Sequence, residues 1–350
     1  MADMSADSSE NDQVVRTAVE TIAGERARNI RFKHGVVMLV LDVSGMEQLQ
    51  RDKMDIALRD TLRQIDGVKD VRIAMTSEKV TRRIIAIGSG KGGVGKSTVS
   101  ANIAIAMHRL GRKVGMVDAD IYGPSQTRLL DCADSKPEVS DQKLVPMMTG
   151  AGIPLLSMGQ LAKPGQAIAW RGPMAGKALA QLIDAHWGET SDLVVDLPPG
   201  TGDVQMSLMQ QFKPDGAIIV STPQDLALLD ATRAINLFDQ GNIPVVGMIE
   251  NMAGYLCPHC GEISDPFGSG GAEAAAKTME LPFLGRVPLD MVIRKTSDAG
   301  TPIAGGDSPQ AQSFIAIAQK LIDWLEAQKP GAVSAKQPSG SPFAQLRGQG

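Results

Sequence analysis

The feature that most constrains this chain is a glycine-rich stretch that directly follows a short apolar run. The run covers residues 84–87, and the stretch after it reads GSGKGGVGKSTVS. It contains Gly-x-x-x-x-Gly-Lys-Ser from Gly90 to Ser97, where a helical pattern starts. Strand, glycine-rich loop and helix in this order predict a phosphate-binding loop, in which backbone N–H groups and the helix dipole bind an anion. A chance glycine-rich turn between a strand and a helix is the alternative.

The side chains of this loop indicate a nucleoside triphosphate and a divalent cation. Lys96 can reach the β- and γ-phosphates, and the Ser97 hydroxyl can ligate Mg²⁺. A second lysine, Lys91, gives the loop the spelling KGGxGKS. This spelling resembles the deviant-loop ATPases (the class of MinD, ParA and the nitrogenase iron protein), in which that lysine contacts the nucleotide of the partner subunit. The resemblance implies a cation supplied in trans to the γ-phosphate. A solvated surface lysine is the alternative.

Apolar runs that alternate with helical patterns predict the fold. The strand candidates are residues 84–87, 114–117, 155–157, 193–196, 217–221 and 245–249. Near-continuous apolar strands of this kind predict an α/β P-loop NTPase with a largely parallel sheet covered by helices on both faces. A small α+β domain precedes it, with the order helix, two strands, helix and strand.

The predicted division of the chain follows from these patterns. Residues 1–10 are predicted to be disordered, 11–76 to form the small domain, and 77–83 to form a hinge. Residues 84–328 are predicted to form the P-loop ATPase domain, and 329–350 a disordered tail rich in Pro, Gly, Ser and Gln.

Composition narrows the possible partners and compartments. A formal net charge of −4 and 3% aromatic residues argue against a nucleic-acid partner. No apolar run reaches membrane-spanning length, and the N-terminus lacks a signal-peptide pattern, so we expect no membrane partner. The three cysteines form no disulfide framework, which favours a cytoplasmic location.

Carboxylates follow two other predicted strands. Asp118 and Asp120 lie in DADIYGPS, and Asp196 precedes LPPGTGD. The carboxyl ends of parallel strands face the ligand crevice. Asp196 has the Walker-B arrangement that holds Mg²⁺, and one of the other two acids can orient an attacking water. A helix cap or turn is the alternative for Asp118 and Asp120. The Pro-Pro-Gly loop that follows indicates a switch in which the Gly200 N–H senses the γ-phosphate.

Taken together, these motifs resemble the Mrp-type (ApbC-like) iron–sulfur cluster carrier ATPases over about residues 80–325. The resemblance rests on GSGKGGVGKST, VDADIYGPS, DLPPGTGD, the Asn-Met pair after the sixth strand, and CPHCGE. Residues 11–76 resemble, more weakly, the small domain that often precedes these ATPases.

The resemblance implies roles for individual residues. Ser97 and Asp196 would surround Mg²⁺, Asp120 would place the water with support from Asp118, and Asn251 would read the adenine edge. The expected nucleotide-binding residues are Gly90, Lys91, Gly92, Gly93, Val94, Gly95, Lys96, Ser97, Thr98 and Asn251. No guanine-reading [NT]KxD run occurs, so ATP is preferred over GTP. A strand-end cap is the alternative for Asn251.

Cys257 and Cys260 lie in a loop flanked by glycines, in the run CPHC. Two thiolates at this spacing can hold one side of a metal centre, and a closed tetrahedral site needs about four ligands, which a symmetric dimer would supply. The resemblance implies a bridging [4Fe–4S] cluster. A zinc site and a redox dithiol are the alternatives. His259 is interpreted as a bystander and Cys132 as structural.

The leading hypothesis is a homodimeric, cytoplasmic ATPase that carries an iron–sulfur cluster on Cys257 and Cys260. Its expected partners are cluster-assembly factors and the apo iron–sulfur proteins that receive the cluster. One alternative is a spatial organiser like MinD or ParA, but such proteins carry a basic amphipathic helix or a basic face, whereas this chain is net acidic. The other alternative is a zinc-stabilised regulatory ATPase.

Overall fold

The computed structural model describes residues 6–43, 46, 48–76, 82–161, 173–257, 259–260 and 262–328. The chain forms two compact units, Met1–Thr81 and Arg82–Gly350. Their boundary lies inside the predicted hinge, of which residues 77–81 are outside the described residues. The disorder predicted for residues 1–5 and 329–350 is outside them as well.

The first unit has a three-stranded sheet and two helices. Its elements are α1 (Ala6–Ala23), β1 (Ala27–Lys33), β2 (Val36–Asp42), α2 (Gln48–Arg63) and β3 (Asp70–Thr76). The strand order is β1-β2-β3, with β1 antiparallel and β3 parallel to β2. Alternate residues of β2 are buried, and they pack with Val15, Val19, Leu58 and Leu62 of the two helices.

One expectation for this unit is corrected. Helix α1 begins at Ala6, so the disorder predicted for residues 1–10 is wrong for residues 6–10. The segment has no Gly or Pro, and acidic residues near a helix N-terminus are favoured by the helix dipole.

The second unit is a layered α/β domain. Its strands are β4 (Arg83–Gly88), β5 (Val114–Asp118), β6 (Glu138–Ser140), β7 (Lys143–Val145), β8 (Met147–Met148), β9 (Pro154–Ser157), β10 (Asp192–Asp196), β11 (Gly216–Ser221), β12 (Val245–Asn251), β13 (Tyr255–Leu256), β14 (Ile263–Ser264) and β15 (Phe283–Val287). Its helices are α3 (Lys96–Arg109), α4 (Gln126–Leu129), α5 (Pro173–Ile183), α6 (Asp203–Phe212), α7 (Asp225–Gln240), α8 (Gly271–Thr278), α9 (Met291–Asp298) and α10 (Pro309–Ala327).

Eight of these strands form one sheet in the order β15-β12-β11-β4-β10-β5-β9-β8. All six predicted strands are present and mutually parallel, which confirms the predicted fold class. The edge strands β15 and β8 were not predicted. The first is interrupted by Gly285 and Arg286, and the second has only two residues, so neither shows an apolar run in the sequence.

The core lies on both faces of this sheet. Ile85 and Ile87 face a cluster shared with α3 and α10. Ile84 and Ala86 face a second cluster with α5, α6, α7 and α8. Successive strand residues point to opposite faces, and here both faces are covered, so residues 84–87 are all apolar. The strand register pairs Asp196 with Asp118 on β5 and with Ile87 on β4, which brings the carboxyl ends of three strands together.

Candidate functional site

The phosphate loop lies between β4 and α3, as predicted. Two of its glycines have tight surroundings. Gly95 has a φ of +78°, and a Cβ on it would lie 2.3 Å from Asn251 Nδ2. A Cβ on Gly90 would lie 2.0 Å from the carbonyl carbon of Asp230, because the loop rests on the backbone of α7. The glycines therefore hold the loop against two neighbouring elements as well as leaving room for an anion.

Lys96 is nearly buried at the start of α3 and is paired with the end of β10. Its Nζ lies 2.5 Å from Asp196 Oδ1, and Ser100 Oγ donates to the same oxygen at 2.9 Å. Gln126 Nε2 donates to Asp196 Oδ2 and to the Ser97 carbonyl, each at 2.9 Å. The structure thus brings together Lys96, Ser97 and Asp196, as the sequence predicted, and adds Gln126, which it did not.

The oxygens around Asp196 suit a Mg²⁺ ion. Gln126 Oε1 is buried and has no hydrogen-bond partner among the described residues. Ser97 Oγ lies close by, 3.4 Å from Lys96 Nζ. Hydroxyl, amide and carboxylate oxygens are the hard ligands that Mg²⁺ prefers. The donor set therefore fits the predicted ion, although both Asp196 oxygens are engaged here by other side chains.

Asp118 is fully buried and acts as an anchor for the loop that follows β5. Its Oδ2 accepts from the N–H groups of Ser125 and Gln126, both at 3.1 Å, and from Ser157 Oγ at 3.0 Å. Burial, and after it the charge of Asp196, raise the pKa of Asp118 to about 7, against the opposing effect of the hydrogen bonds. The turn-and-cap role considered for this residue is therefore present in the structure.

Asp120 follows two residues later and is 8% exposed. Its Oδ1 accepts from the N–H groups of Tyr122 and Gly123, both at 3.1 Å, which makes a local turn. Among the described residues, no group donates to its Oδ2. Of the two acids, Asp120 is the less enclosed one.

The Pro-Pro-Gly loop is held in place by contacts that the sequence did not reveal. The Gly200 N–H donates to the Ser89 carbonyl at 2.9 Å, so the N–H expected to face a γ-phosphate is already bonded in this structure. Gln205 Nε2 donates to the carbonyls of Pro198 at 2.7 Å and Gly200 at 3.0 Å, and its Oε1 accepts from the Gly202 N–H at 3.1 Å. The spacing of Gly202 and Gln205 resembles a capping box, which is the signal that could have identified Gln205.

Asn251 ends β12 and braces the phosphate loop. Its Nδ2 donates to the Val94 carbonyl at 2.8 Å, and the residue is 6% exposed. The sequence offered two roles, adenine reading and a strand-end cap. The structure adds a third, because the amide connects the end of β12 to the residue before Gly95.

Cys257 and Cys260 lie on an excursion between β12 and α8, residues 252–270, which we call the cysteine segment; positions 258 and 261 are outside the described residues. β13 and β14 form a short antiparallel hairpin in it, and the Cys257 N–H donates to the Glu262 carbonyl at 2.9 Å. Cys260 is exposed and Cys257 is half-buried, and neither is in a disulfide.

The two thiols differ from the third cysteine in their surroundings. The N–H groups of Cys260 and His259, together with the Cys260 thiol, hydrogen-bond to the sulfur of Cys257 and lower its pKa. Burial, with a smaller contribution from Asp131, raises the pKa of Cys132 to about 11. Thiolate character is what metal binding requires, so the chemistry concentrates in the cysteine segment and leaves Cys132 inert.

The cysteine segment and the phosphate loop line one cavity of about 160 Å³. Met252 and Phe267 come from the segment, and residues 91–94 come from the loop. Thr222 and Gln224, which follow β11, complete the lining. Motifs that are more than a hundred residues apart in the chain therefore meet at one edge of the sheet.

The chain is similar to known proteins in sequence and in fold. The family model ParA, described as NUBPL iron-transfer P-loop NTPase, matches residues 80–322. An iron–sulfur cluster carrier protein of Deinococcus radiodurans is 41% identical over 290 residues, which are 79% of this chain and 82% of that protein. A nucleotide-binding protein of Archaeoglobus fulgidus in complex with ADP aligns with a TM-score of 0.58 and 38% identity, over 67% of this chain and 91% of that one.

A cell-division protein is a more distant structural relative. MinD of Pyrococcus horikoshii, complexed with Mg-ADP, aligns with a TM-score of 0.53 and 26% identity, over 71% of this chain and 100% of that one. Among the described residues, every helix is too short or too polar to cross a lipid bilayer.

The family match begins at residue 80, so the resemblance of residues 11–76 to a cluster-assembly domain stays a prediction. Because the match spans the whole eight-stranded sheet, the chain belongs to the NUBPL-type iron-transfer P-loop NTPases, and its resemblance to the cluster carrier ATPases is confirmed.

Proposed function

We propose that this protein is an ATP-hydrolysing carrier of iron–sulfur clusters. Two copies hold one [4Fe–4S] cluster between their Cys257 and Cys260 pairs and release it to apo-proteins. The observation that carries the proposal is the shared cavity, in which Met252 and Phe267 of the cysteine segment meet the phosphate loop. A cargo site beside a nucleotide site is what ATP-driven release requires. Membership of an iron-transfer family supports the choice of cargo.

The thiols have the chemistry of cluster ligands. Cys257 has a lowered pKa, and Cys260 is exposed three positions away. Among the described residues, no three His, Cys, Asp or Glu side chains converge as a metal site would need. A cluster with about four thiolate ligands therefore takes two from each of two copies related by a twofold axis.

ATP binding begins with a change of partner for Lys96. The phosphates draw its ammonium away from Asp196, because a triphosphate offers several charged oxygens to one cation. The N–H groups of residues 92–98 bind the phosphates at the start of α3. Asn251 contacts the adenine from the strand end next to the loop. Lys91 forms no ion pair among the described residues and is free to reach the γ-phosphate of a second copy.

Asp120 is the residue that orients the attacking water. The water oxygen bonds to the γ-phosphorus while the bond from that phosphorus to the bridging oxygen breaks, which leaves ADP and inorganic phosphate. Asp118 positions the loop that carries Asp120. Ser97 and Asp196 are the residues that would hold Mg²⁺, with the Gln126 oxygen nearby. The bound ion would neutralise part of the phosphate charge.

The proposed location is the cytoplasm. All three cysteines are free, and two of them are accessible to solvent, which suits a reducing compartment.

Anaerobic reconstitution with iron and sulfide tests the cargo. The full chain should take up iron and sulfide in equal amounts and show a broad visible absorption. Cys257→Ser and Cys260→Ser should lose both signals and still bind ATP. Cys132→Ser is the matched control and should keep them, because that thiol is buried in the core cluster that includes α3. Unchanged spectra in the first two variants would defeat the proposal. Zinc in place of iron in anaerobically purified protein would favour a zinc-stabilised ATPase.

A further inference from the structure

Glu250 is a buried carboxylate that has no role in the proposed ATP hydrolysis or cluster binding. It is the residue before Asn251 at the end of β12, and its side chain is 0% exposed. Its Oε2 accepts from the Ala272 N–H at 2.7 Å, and its Oε1 accepts from the Gly270 N–H at 3.1 Å. Arg286 Nε donates to Oε1 at 3.0 Å. A buried charge with this many donors is a rigid fixture, because loss of any partner leaves it uncompensated.

The amides that Glu250 binds lie where the cysteine segment ends and α8 begins. Gly270 is the N-cap of α8 and has a φ of +78°. The positive end of the helix dipole favours the carboxylate. The start of the helix is also pressed against the loop after β11, since a Cβ on Gly271 would lie 2.4 Å from the Pro223 carbonyl oxygen. The backbone where the cysteine segment ends therefore has little freedom to move unless Glu250 moves with it.

Asn251 holds the entrance of the same segment. Its amide donates to the Val94 carbonyl in the phosphate loop, and the chain turns sharply at Met252, which has a φ of +60°. Successive residues of a strand point to opposite faces of the sheet. Asn251 accordingly reaches the loop before α3 on one face, while Glu250 reaches α8 on the other.

The entrance and the exit of the cysteine segment are thus held by consecutive residues of one strand. A nucleotide that draws Lys96 from Asp196 would act on the loop at residues 94–96, to which Asn251 is bonded. A displacement of that strand end reaches Glu250 directly through the backbone. Coupling between two sites needs such an element, whose position both sites bias.

We propose that Glu250 is a positioning residue that transmits the nucleotide state of the phosphate loop to Cys257 and Cys260. The proposal rests on the proposed function only in that the loop binds ATP. The ligand that moves the strand end is the triphosphate, and the response is a change in the accessibility of the two thiols. Glu250 touches neither the nucleotide nor the cargo.

Thiol labelling of the apo full chain tests the coupling. In a Cys132→Ser background, a non-hydrolysable ATP analogue should slow alkylation of Cys257 and Cys260 about tenfold, within the usual range of coupling between sites. Glu250→Gln should bind the analogue as tightly as its parent while the labelling rates with and without it become equal. Glu273→Gln is the matched control, because Glu273 also contacts Arg286 but is half-exposed and, among the described residues, forms no hydrogen bond or ion pair with the cysteine segment. It should keep the full effect.

The outcomes separate the two proposals. The coupling would be overturned if the parent protein were labelled at the same rate with and without the analogue. It would also be overturned if Glu250→Gln kept the full effect of the analogue. Both results hold whether or not a cluster binds. A chain that shows the coupling but takes up no iron would overturn the cargo and leave the coupling standing. Should Glu250→Gln fail to fold, hydrogen–deuterium exchange of the parent decides. The analogue should slow exchange at the Gly270 and Ala272 amides, and unchanged exchange there would contradict the proposal.

Discussion

Lys96 and Asp196 form a buried ion pair, with 2.5 Å between Lys96 Nζ and Asp196 Oδ1. The two residues come from different strand–loop units, and their exposed side-chain fractions are 6% and 0%. The cation expected to bind phosphate and the carboxylate expected near Mg²⁺ therefore neutralise each other in this structure. Ser100 and Gln126 donate further hydrogen bonds to the same carboxylate. Each of these two buried charges is therefore compensated by the other.

Replacing Lys96 should show how far the stability of the fold depends on the Lys96–Asp196 ion pair. Lys96→Met leaves a buried carboxylate without its cation, and we expect the free energy of unfolding without nucleotide to fall by about 3–5 kcal/mol. ATP binding should be lost. Adding Asp196→Asn to this variant removes the stranded charge and should restore most of the stability, but not the binding. Urea denaturation and ATP titration measure the two effects, and a double variant as unstable as the single one would contradict the argument.

Gln205 should control the rate of hydrolysis through the Pro-Pro-Gly loop. Gln205→Leu removes the hydrogen bonds to Pro198, Gly200 and Gly202. We expect kcat for ATP hydrolysis to fall about 10- to 100-fold, since small misplacements of catalytic groups have effects of this size. KM should change far less, because the phosphate loop is untouched. Met206→Ala, at the exposed neighbouring position on α6, is the control and should behave as the parent. A fall confined to KM would rule out the positioning role.

Gly90 and Gly92 should respond differently to the same substitution. A Cβ on Gly90 would meet the backbone of α7 at 2.0 Å, whereas the nearest atom to a Cβ on Gly92 is Pro199 Cγ at 3.9 Å. Gly90→Ala should therefore destabilise the nucleotide-free protein by about 1–3 kcal/mol, the usual range for overpacking. Gly92→Ala should leave the unfolding midpoint close to that of the parent. Thermal unfolding without nucleotide compares them, and equal midpoints would show that the loop does not rest on α7 as described.

Asp118 should make stability depend on pH. Burial, and after it the charge of Asp196, raise its pKa from an ordinary value of 3.8 to about 7, so between these pH values the folded state holds a proton that the unfolded state has released. The resulting stabilisation is complete below the unfolded pKa and is lost as pH rises towards 7. Denaturant unfolding in the presence of EDTA should therefore show the parent losing stability between pH 5 and 7 relative to Asp118→Asn. Parallel curves for the two proteins across that range would refute the assignment.

Local patterns made much of this site predictable. The glycine-rich loop, the apolar strands and the acids after them depend on residues close in sequence, and each was found where its pattern indicated. The six strands predicted from apolar runs all lie in the sheet, because a strand covered on both faces has to be apolar over most of its length. The edge strands β8 and β15 were not predicted, because they are strands through their pairing with a neighbouring strand and their own residues show no apolar run.

The amino-acid sequence by itself determined the phosphate loop, the parallel sheet and the pair of closely spaced cysteines, since each follows from residue type at short spacing. Only the tertiary structure decided which polar groups meet. Gln126 binds Asp196 from 70 positions away, and Asn251 binds the Val94 carbonyl from 157 positions away. Glu250 accepts hydrogen bonds from the backbone amides at the end of the cysteine segment. The physical reason is that buried hydrogen-bonding groups take whatever partner the packed strands bring within reach, and that choice is made by the register of the sheet rather than by neighbours along the chain.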